Sequence, residues 1–553
     1  MPQLQNITIE AVGFAGLNTQ DSPAAIDPSF ASKAENCVID KHGRIAARKG
    51  YTYINKVTGA SDNQKATKAI FRFVDADGNE KYLLAADNKI FEGLSAPTDI
   101  TPAGVSITDD NWKIVQLQNV AYFFQRGHEP MVYTREDGVY TLKLMSAATG
   151  VVGTVPIYAH EALSAYGRVW IADSNATEER TTLYWSDTLN GRAWSGGTSG
   201  SLDLSTVFPN GYDEITALAA HNGFLVIFGK NSIVVYSGAN SPSSMTLSDT
   251  VRNVGCLARD TVQFTGTDVV FLSGDGLRTL GRTIQEKSMP MGNLSKNVHN
   301  TFLADISFAD RDQMASVYAH DEGFYLISMP DKHLVYCFSL QNILPDGAAR
   351  VTTWYDSNAL SAPSNGIYPY AFCDCPQGLL MGRKNGLYKY QGHLDVDVYG
   401  GGTLYYVMEY KSNPMDFGQP SNLKFVKKFE VVAVGNTFQN NSGIIWYYDY
   451  KEDEEFIGTY PQPALPTSES EYTTQTTSGT SNAVAQSEFE SDIDTDNIGS
   501  LVFEYSTGTK VHTPIVQGQG SGQVLTAGLR IMIYGSPYSL QKLGIHATLG
   551  RLA

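Results

Sequence analysis

The sequence predicts an all-β chain: a β-propeller of about seven blades, then a C-terminal β-sandwich interrupted by a long acidic insertion. Three observations carry this. Strand-forming residues are abundant, with 31 Tyr, 24 Phe and 51 Gly in 553 residues, a balance that favours strands and turns over helices. Hairpin-like units then recur: YLLAADNKIFE (82–92), VAYFFQRGHEPMVYT (120–134), GRVWIAD…TLYWSD (167–187), GFLVIFGKNSIVVYSG (223–238), DVVFLSGDGLRTLG (268–281), GFYLISMPDKHLVYCFS (323–339) and GLLMGRKNGLYKYQG (378–392). Finally, the steps from Leu83 to Phe123, Val169, Leu225, Val269, Phe324 and Leu379 are 40, 46, 56, 44, 55 and 55 residues, close to the ~40–50 residues of a propeller blade.

Residues 1–60 precede the repeats and read as an N-terminal arm: a loop, a short helix, then a hairpin around Lys41-His42-Gly43. The propeller is assigned to 61–400, ending at Gly400-Gly401-Gly402, a boundary signal. Residues 401–553 read as the sandwich, with strands at TLYYVMEY (403–410), LKFVKKFEVVAV (423–434), GIIWYYDY (443–450), SLVFEYST (500–507), LRIMIYG (529–535) and LQKLGIHATLG (540–550). The Ser/Thr-rich stretch from about 452 to 497 is too polar to bury and is expected to be an insertion between strands.

Net charge is −17, and residues 451–500 hold eleven acids against one base. Such a chain has no electrostatic footprint for gripping nucleic acid. Five cysteines, an odd and irregularly spaced set, predict reduced thiols rather than a disulfide framework. The start MPQLQNITIEAVGF lacks the basic and apolar blocks of a signal peptide. No apolar run reaches the ~18 residues of a membrane span. These readings predict a chain that folds in a cytoplasm.

The motifs that could carry chemistry each have a plainer reading. Asp75-Ala76-Asp77-Gly78-Asn79-Glu80 departs from a calcium loop in its Gly position and lacks the terminal Glu; Asp77-Gly78 between apolar runs is a hairpin turn. Cys373-Asp374-Cys375 has no second ligand pair at zinc spacing. His393, Asp395 and Asp397 alternate along one strand face, but nothing nearby completes a metal shell. The stretch TLYWSDTLNGRAW (182–194) resembles an Asp-box in Gly191 and Trp194 and departs from it at Leu189. HEALS (160–164) lacks the second His of a zincin, and Gly518–Gly522 lies between strands rather than opening a helix. No nucleophile elbow is present. The expectation is a protein that is not an enzyme, with no catalytic residues, cofactor or metal. The basic positions Arg44, Arg48, Lys49, Lys424 and Lys427, with the Lys230-Asn231 tip of the fourth hairpin, are candidate partner-interface residues; the competing reading is solvated strand faces. Glu469, Glu471, Glu488, Glu490, Asp492, Asp494 and Asp496 are candidates for a gate or partner-binding loop.

Three segments bear a family resemblance. Phe14, Gly16-Leu17-Asn18-Thr19, Ala34, Asn36, Gly43-Arg44, Arg48 and Gly50-Tyr51 are similar to the opening of tail proteins of short-tailed bacteriophages, with departures at Ala15 and at Ile45-Ala46-Ala47. EITALAAHNGFLVIFGKNSIVVYSG (214–238), followed by VGCLARDTV and DVVFLSGDGLRTL, resembles the central hairpin of that family. MDFGQPSNLKFVKKFEVVAVG (415–435), through Gly418, Pro420 and Lys424, resembles its entry to the C-terminal sandwich. The resemblance is to the podovirus tail nozzle or hub family, also called tail tubular protein B or packaged-DNA stabilisation protein. It implies a virion protein that forms a ring, a homohexamer, beneath the tail adaptor protein and beside tail fibres or tailspikes. The ring encloses the DNA exit channel, retains the packaged genome and releases it, without sequence-specific contact to the duplex. The rival reading is a carbohydrate-binding or glycan-cleaving propeller of a receptor-binding tail protein.

Overall fold

The computed structural model describes residues 4–552, apart from 11–12, 23–25, 56–65, 156–157, 175–179, 210, 287–292, 308–310, 356–367, 385, 398–401, 436–442, 460–510, 513–514 and 534. The predicted fold class is what is seen. Each of the seven hairpins is the pair of middle strands of a blade, or their equivalent in the one blade with three described strands.

Blade four shows why the sequence reads as it does. Its strands are Ile215–His221, Phe224–Gly229, Ser232–Ser237 and Thr246–Arg252, in that order across the sheet. The register pairs Leu225 with Tyr236 and Phe228 with Ile233. Both faces of the middle strands are buried. Leu225, Ile227, Val234 and Tyr236 pack with Trp170 and Trp185 of blade three. Val226, Phe228, Ile233 and Val235 pack with Val269 and Phe271 of blade five. A strand buried on both faces loses the apolar/polar alternation of a half-exposed one and becomes a continuous apolar run.

Blades one, two and three repeat the four-stranded meander over Thr67–Asp99, Lys113–Leu144 and Ala159–Asp203, and blade five has three strands between Gln263 and Thr279. Blade six comprises Ala315–Ala319, Phe324–Met329, Leu334–Ser339 and Arg350–Tyr355. Blade seven takes three strands from Ala371–Cys375, Gly378–Arg383 and Gly386–Tyr390, and its fourth from Tyr51–Asn55 near the start of the chain. Its inner strand packs beside the inner strand of blade one, which closes the ring. A closed ring leaves short, protected sheet edges.

The N-terminal segment also builds the sandwich. Where a short helix was expected ahead of the Lys41-His42-Gly43 hairpin, the segment Phe30–Glu35 is a strand between Arg350–Tyr355 of blade six and Tyr406–Ser412. One sheet therefore runs from blade six through Leu525–Ile533 and Gly443–Tyr448 to Phe456–Thr459. The helix expectation failed because Phe30-Ala31-Ser32-Lys33-Ala34-Glu35 has weak local preference, and pairing on both sides decided its form. The second sheet centres on Asn422–Gly435 and Tyr538–Leu552, joined by Leu4–Glu10 and the predicted hairpin Cys37–Ile39/Ile45–Ala47. The two sheets share a core that includes Phe429, Trp446, Leu529, Ile531 and Ile545. Residues 456–459, assigned to the insertion, are an edge strand of this sandwich. The expected strand 500–507 lies outside the described residues.

Candidate functional site

The inner strands converge on the propeller axis, where charged side chains meet. Arg259, in a single helical turn before blade five, is 5% exposed. Its Nη1 donates to the His160 carbonyl at 2.8 Å and lies 3.1 Å from His160 Nδ1. Its Nη2 donates to Asn111 Oδ1 and to Asp260. Asn111 Nδ2 in turn donates to the Asp312 carbonyl at 2.8 Å. One guanidinium thus ties the approaches to blades two, three, five and six.

Beside it, Lys113 Nζ stands 3.6 Å from Glu161 Oε2 and 3.7 Å from Asp260 Oδ1. Glu161 Oε1 accepts the Leu218 N–H of blade four at 3.3 Å. Burial pushes the Glu161 carboxyl up to about 7, against the pull of Lys113 and Arg259. Burial, reinforced by Arg259, holds His160 well below its ordinary value. Burial also works against ionisation of Asp260, but Arg259 and Lys113 outweigh it and hold that carboxyl low. A cavity of 180 Å³ remains on the axis, lined from blades one, two, five, six and seven. At ~30 Å³ per water it holds roughly six waters.

The predicted interface residues fall on separate elements. Arg48 is fully buried: Nη1 and Nη2 grip Asp395 at 2.9 and 2.7 Å, Nε donates to Asn36 Oδ1 at 3.0 Å, and the guanidinium lies 4.0 Å from the centre of the Tyr406 ring. Lys424 is also fully buried, its ammonium donating to the Gln419 carbonyl. Both are corrections, since neither can meet a partner from inside the chain. Arg44 pairs with Asp40 at 2.7 Å and Lys49 with Glu322 at 2.7 Å. Lys427, Lys230 and Asn231 are exposed. The Lys230-Asn231 turn is held by buried Asp213, which accepts both backbone N–H groups and the Ser232 hydroxyl. The seven candidate gate residues from Glu469 to Asp496 lie outside the described residues.

The remaining motifs are structural. Asp75 Oδ1 accepts N–H groups of Asp77 and Asn79 across the predicted turn. Asp187 accepts the Thr198 N–H and hydroxyl, bracing a loop. All five cysteines are free thiols. Asp395 is committed to Arg48, and His393 Nδ1 lies 3.2 Å from the Arg48 carbonyl, so they do not form a ligand pair. Glu409, Glu452 and Glu455 bring carboxylates together, but Lys411 bonds all three and Arg530 bonds Glu409 and Glu455. Two cations already occupy the place of a metal. Reading by motif missed Lys113, Arg259 and Asp260; Lys113 opens a strand of blade two and the other two share the helical turn before blade five, with no local spacing to link them.

Fold and site define a propeller–sandwich protein in which, among the described residues, Lys113, Glu161, Arg259, Asp260, Arg48 and Asp395 pair with one another inside the chain. No family model and no curated protein matches the sequence. Among solved structures it is similar to the computationally designed Ika8 protein, at 12% identity and TM-score 0.33 over 61% of this chain and 99% of that one. It is also similar to the C-terminal WD40 domain of Sif2, at 10% identity and TM-score 0.34 over 62% of this chain and 97% of that one.

Proposed function

We propose that the chain is a structural virion protein, the protomer of a tail nozzle or hub ring in a short-tailed bacteriophage. The reading starts from the three resembling segments. One observation carries it further: propeller and sandwich are joined by a continuous hydrogen-bonded sheet through Phe30–Glu35. A block joined in this way, with its own axis filled by side chains, suits a wall element of a larger ring. The DNA channel then lies between copies, not along the propeller. A net charge of −17 suits a wall past which a duplex slides, because each phosphate contact would add salt-dependent binding.

In this reading the protein has no catalytic role. Its partners are further copies of itself, a tail adaptor above, and fibres or tailspikes at the side. The acidic stretch serves as a gate or partner loop. Negative-stain imaging and mass measurement of the purified chain, alone and with the adaptor, test the assembly. Closed rings, a hexamer foremost, are expected; a monomer or trimer that never joins the adaptor overturns the reading. Deleting Pro461–Asp496 and measuring genome retention tests the gate, and unchanged retention excludes it.

A further inference from the structure

Cys373 and Cys375 lie on the inner strand of blade seven, Ala371–Cys375, where the ring closes against blade one. The register of this strand with Gly378–Arg383 is regular, so the two cysteines share one face. That face meets blade one, and both cysteines pack with Ile54, Ile70, Tyr82, Leu94 and Leu380. Asp374, between them, serves blade six, where it accepts the His320 N–H at 3.1 Å.

The two thiols hydrogen-bond each other. Donors also face the sulfurs: the Arg72 N–H for Cys373, the Gln377 N–H and the Tyr82 hydroxyl for Cys375. The Arg72 side chain pairs with Glu80 and stands close enough to Cys375 for their charges to interact. Donors and a cation around sulfur favour the thiolate, the form that ligates metal. Cys375 is buried, but Cys373 is half-buried, which leaves a way in from solvent.

A pair of thiols can form a disulfide or share a soft ion. At this spacing the Cα atoms of an antiparallel strand stand about 6.8 Å apart, the far limit of the ordinary disulfide range. An ion between the sulfurs spans that gap with the strand left straight. The number of ligands then selects the ion. Zinc in a structural site takes four. Among the described residues, the group of three His, Cys, Asp or Glu with mutually close ligand atoms is Glu409, Glu452 and Glu455, in the sandwich. The cysteine pair therefore has no third ligand of these types. Two sulfurs alone suit a soft monovalent ion that accepts linear two-coordination, as Cu(I) does. One such ion with two thiolates carries a single negative charge, and Arg72 stands beside it.

We propose that Cys373 and Cys375 form a two-coordinate site for one soft monovalent cation of the Cu(I) class, at the seam between blades seven and one. The two thiol protons pass to solvent as the ion binds, and no oxidation state changes. The site does not depend on assembly into a ring.

The test is anaerobic titration of the full, reduced chain with Cu(I) against a chromophoric Cu(I) chelator. Ag(I) serves as a redox-inert second probe and Zn(II) as a control, and X-ray absorption reads the coordination. One equivalent of Cu(I) is expected to be withheld from the chelator, with two sulfur neighbours, and Zn(II) is not expected to displace it. Cys373→Ser and Cys375→Ser are each expected to abolish that retention. Cys256→Ser, at a buried thiol elsewhere, is expected to leave it at one equivalent. Melting curves identify which variants remain folded, and the stoichiometry and coordination of the parent chain need no variant. No retained Cu(I), unchanged retention in a folded Cys373→Ser or Cys375→Ser protein, three or more protein ligands on the ion, or equal retention of Zn(II) would overturn the proposal.

Discussion

The Arg48 guanidinium and the Asp395 carboxylate, 347 positions apart in the chain, meet in a two-pronged ion pair at 2.9 and 2.7 Å inside the protein. The pair pins the N-terminal segment to the strand that follows blade seven, beside the Tyr51–Asp395 bridge. Burial disfavours the Arg48 charge, yet Asp395 outweighs it and raises the arginine above its ordinary value.

Breaking a buried pair from one side strands the other charge, which costs about 3–5 kcal/mol. Arg48→Met is expected to lose stability on that scale in urea unfolding. Arg48→Lys is expected to recover little, because an ammonium cannot reproduce the two-pronged grip or the stacking on Tyr406. Near-native stability of Arg48→Met would refute the role given to this pair.

Gly50 precedes the strand that completes blade seven, and a Cβ there would stand 1.9 Å from the Leu394 carbonyl oxygen. Gly50→Ala is expected to push the two backbones apart and expose the strand Gly386–Tyr390. Hydrogen exchange reads this as faster labelling at Leu387–Tyr390, with blade three unchanged. Unchanged protection at those amides would count against the closure by Tyr51–Asn55.

Glu161 makes stability depend on pH. Its carboxyl is raised from an ordinary 4.5 to about 7, so the folded protein keeps a proton that the unfolded chain releases. This stabilisation is complete below about pH 4.5 and is lost as pH rises through 7, on the order of 3 kcal/mol in full. The groups facing it are Lys113, Arg259 and Asp260, with His160 beside it in sequence. Glu161→Gln keeps the acceptor for the Leu218 N–H and removes the titration. Its melting temperature is expected to exceed that of the parent at pH 8 and to match it near pH 4.5; parallel pH profiles would refute the assignment.

Lys424 and Lys427 separate structural from surface lysines. Lys424→Met leaves the Gln419 carbonyl without its donor, a loss of about 1–3 kcal/mol. Lys427→Met, on an exposed face, is expected to stay within about 0.5 kcal/mol of the parent. Paired chemical denaturation curves check both, and equal effects would overturn the distinction.

Much of the propeller was legible because its signals are local. Phe224–Gly229 and Ser232–Ser237 each carry a full apolar run, and the turn between them is two polar residues, so the hairpin is written within fourteen positions. Blade spacing then follows from repetition of that unit. Arg48 and Lys424 were misread because a lysine or arginine in a polar stretch gives no sign of whether it lies on a surface or in a core. That depends on Asp395, Tyr406 and Gln419, residues brought to it by distant or folded-back chain.

The sequence by itself determined the β class and the hairpins, because strand preference and turn chemistry act between near neighbours. Tertiary structure alone decided that Tyr51–Asn55 completes blade seven, that Phe30–Glu35 welds propeller to sandwich, and that Lys113, Glu161, Arg259 and Asp260 share one axis. Those choices rest on pairings between distant positions, whose free energy comes from burial and hydrogen bonds that exist only once the ring has closed.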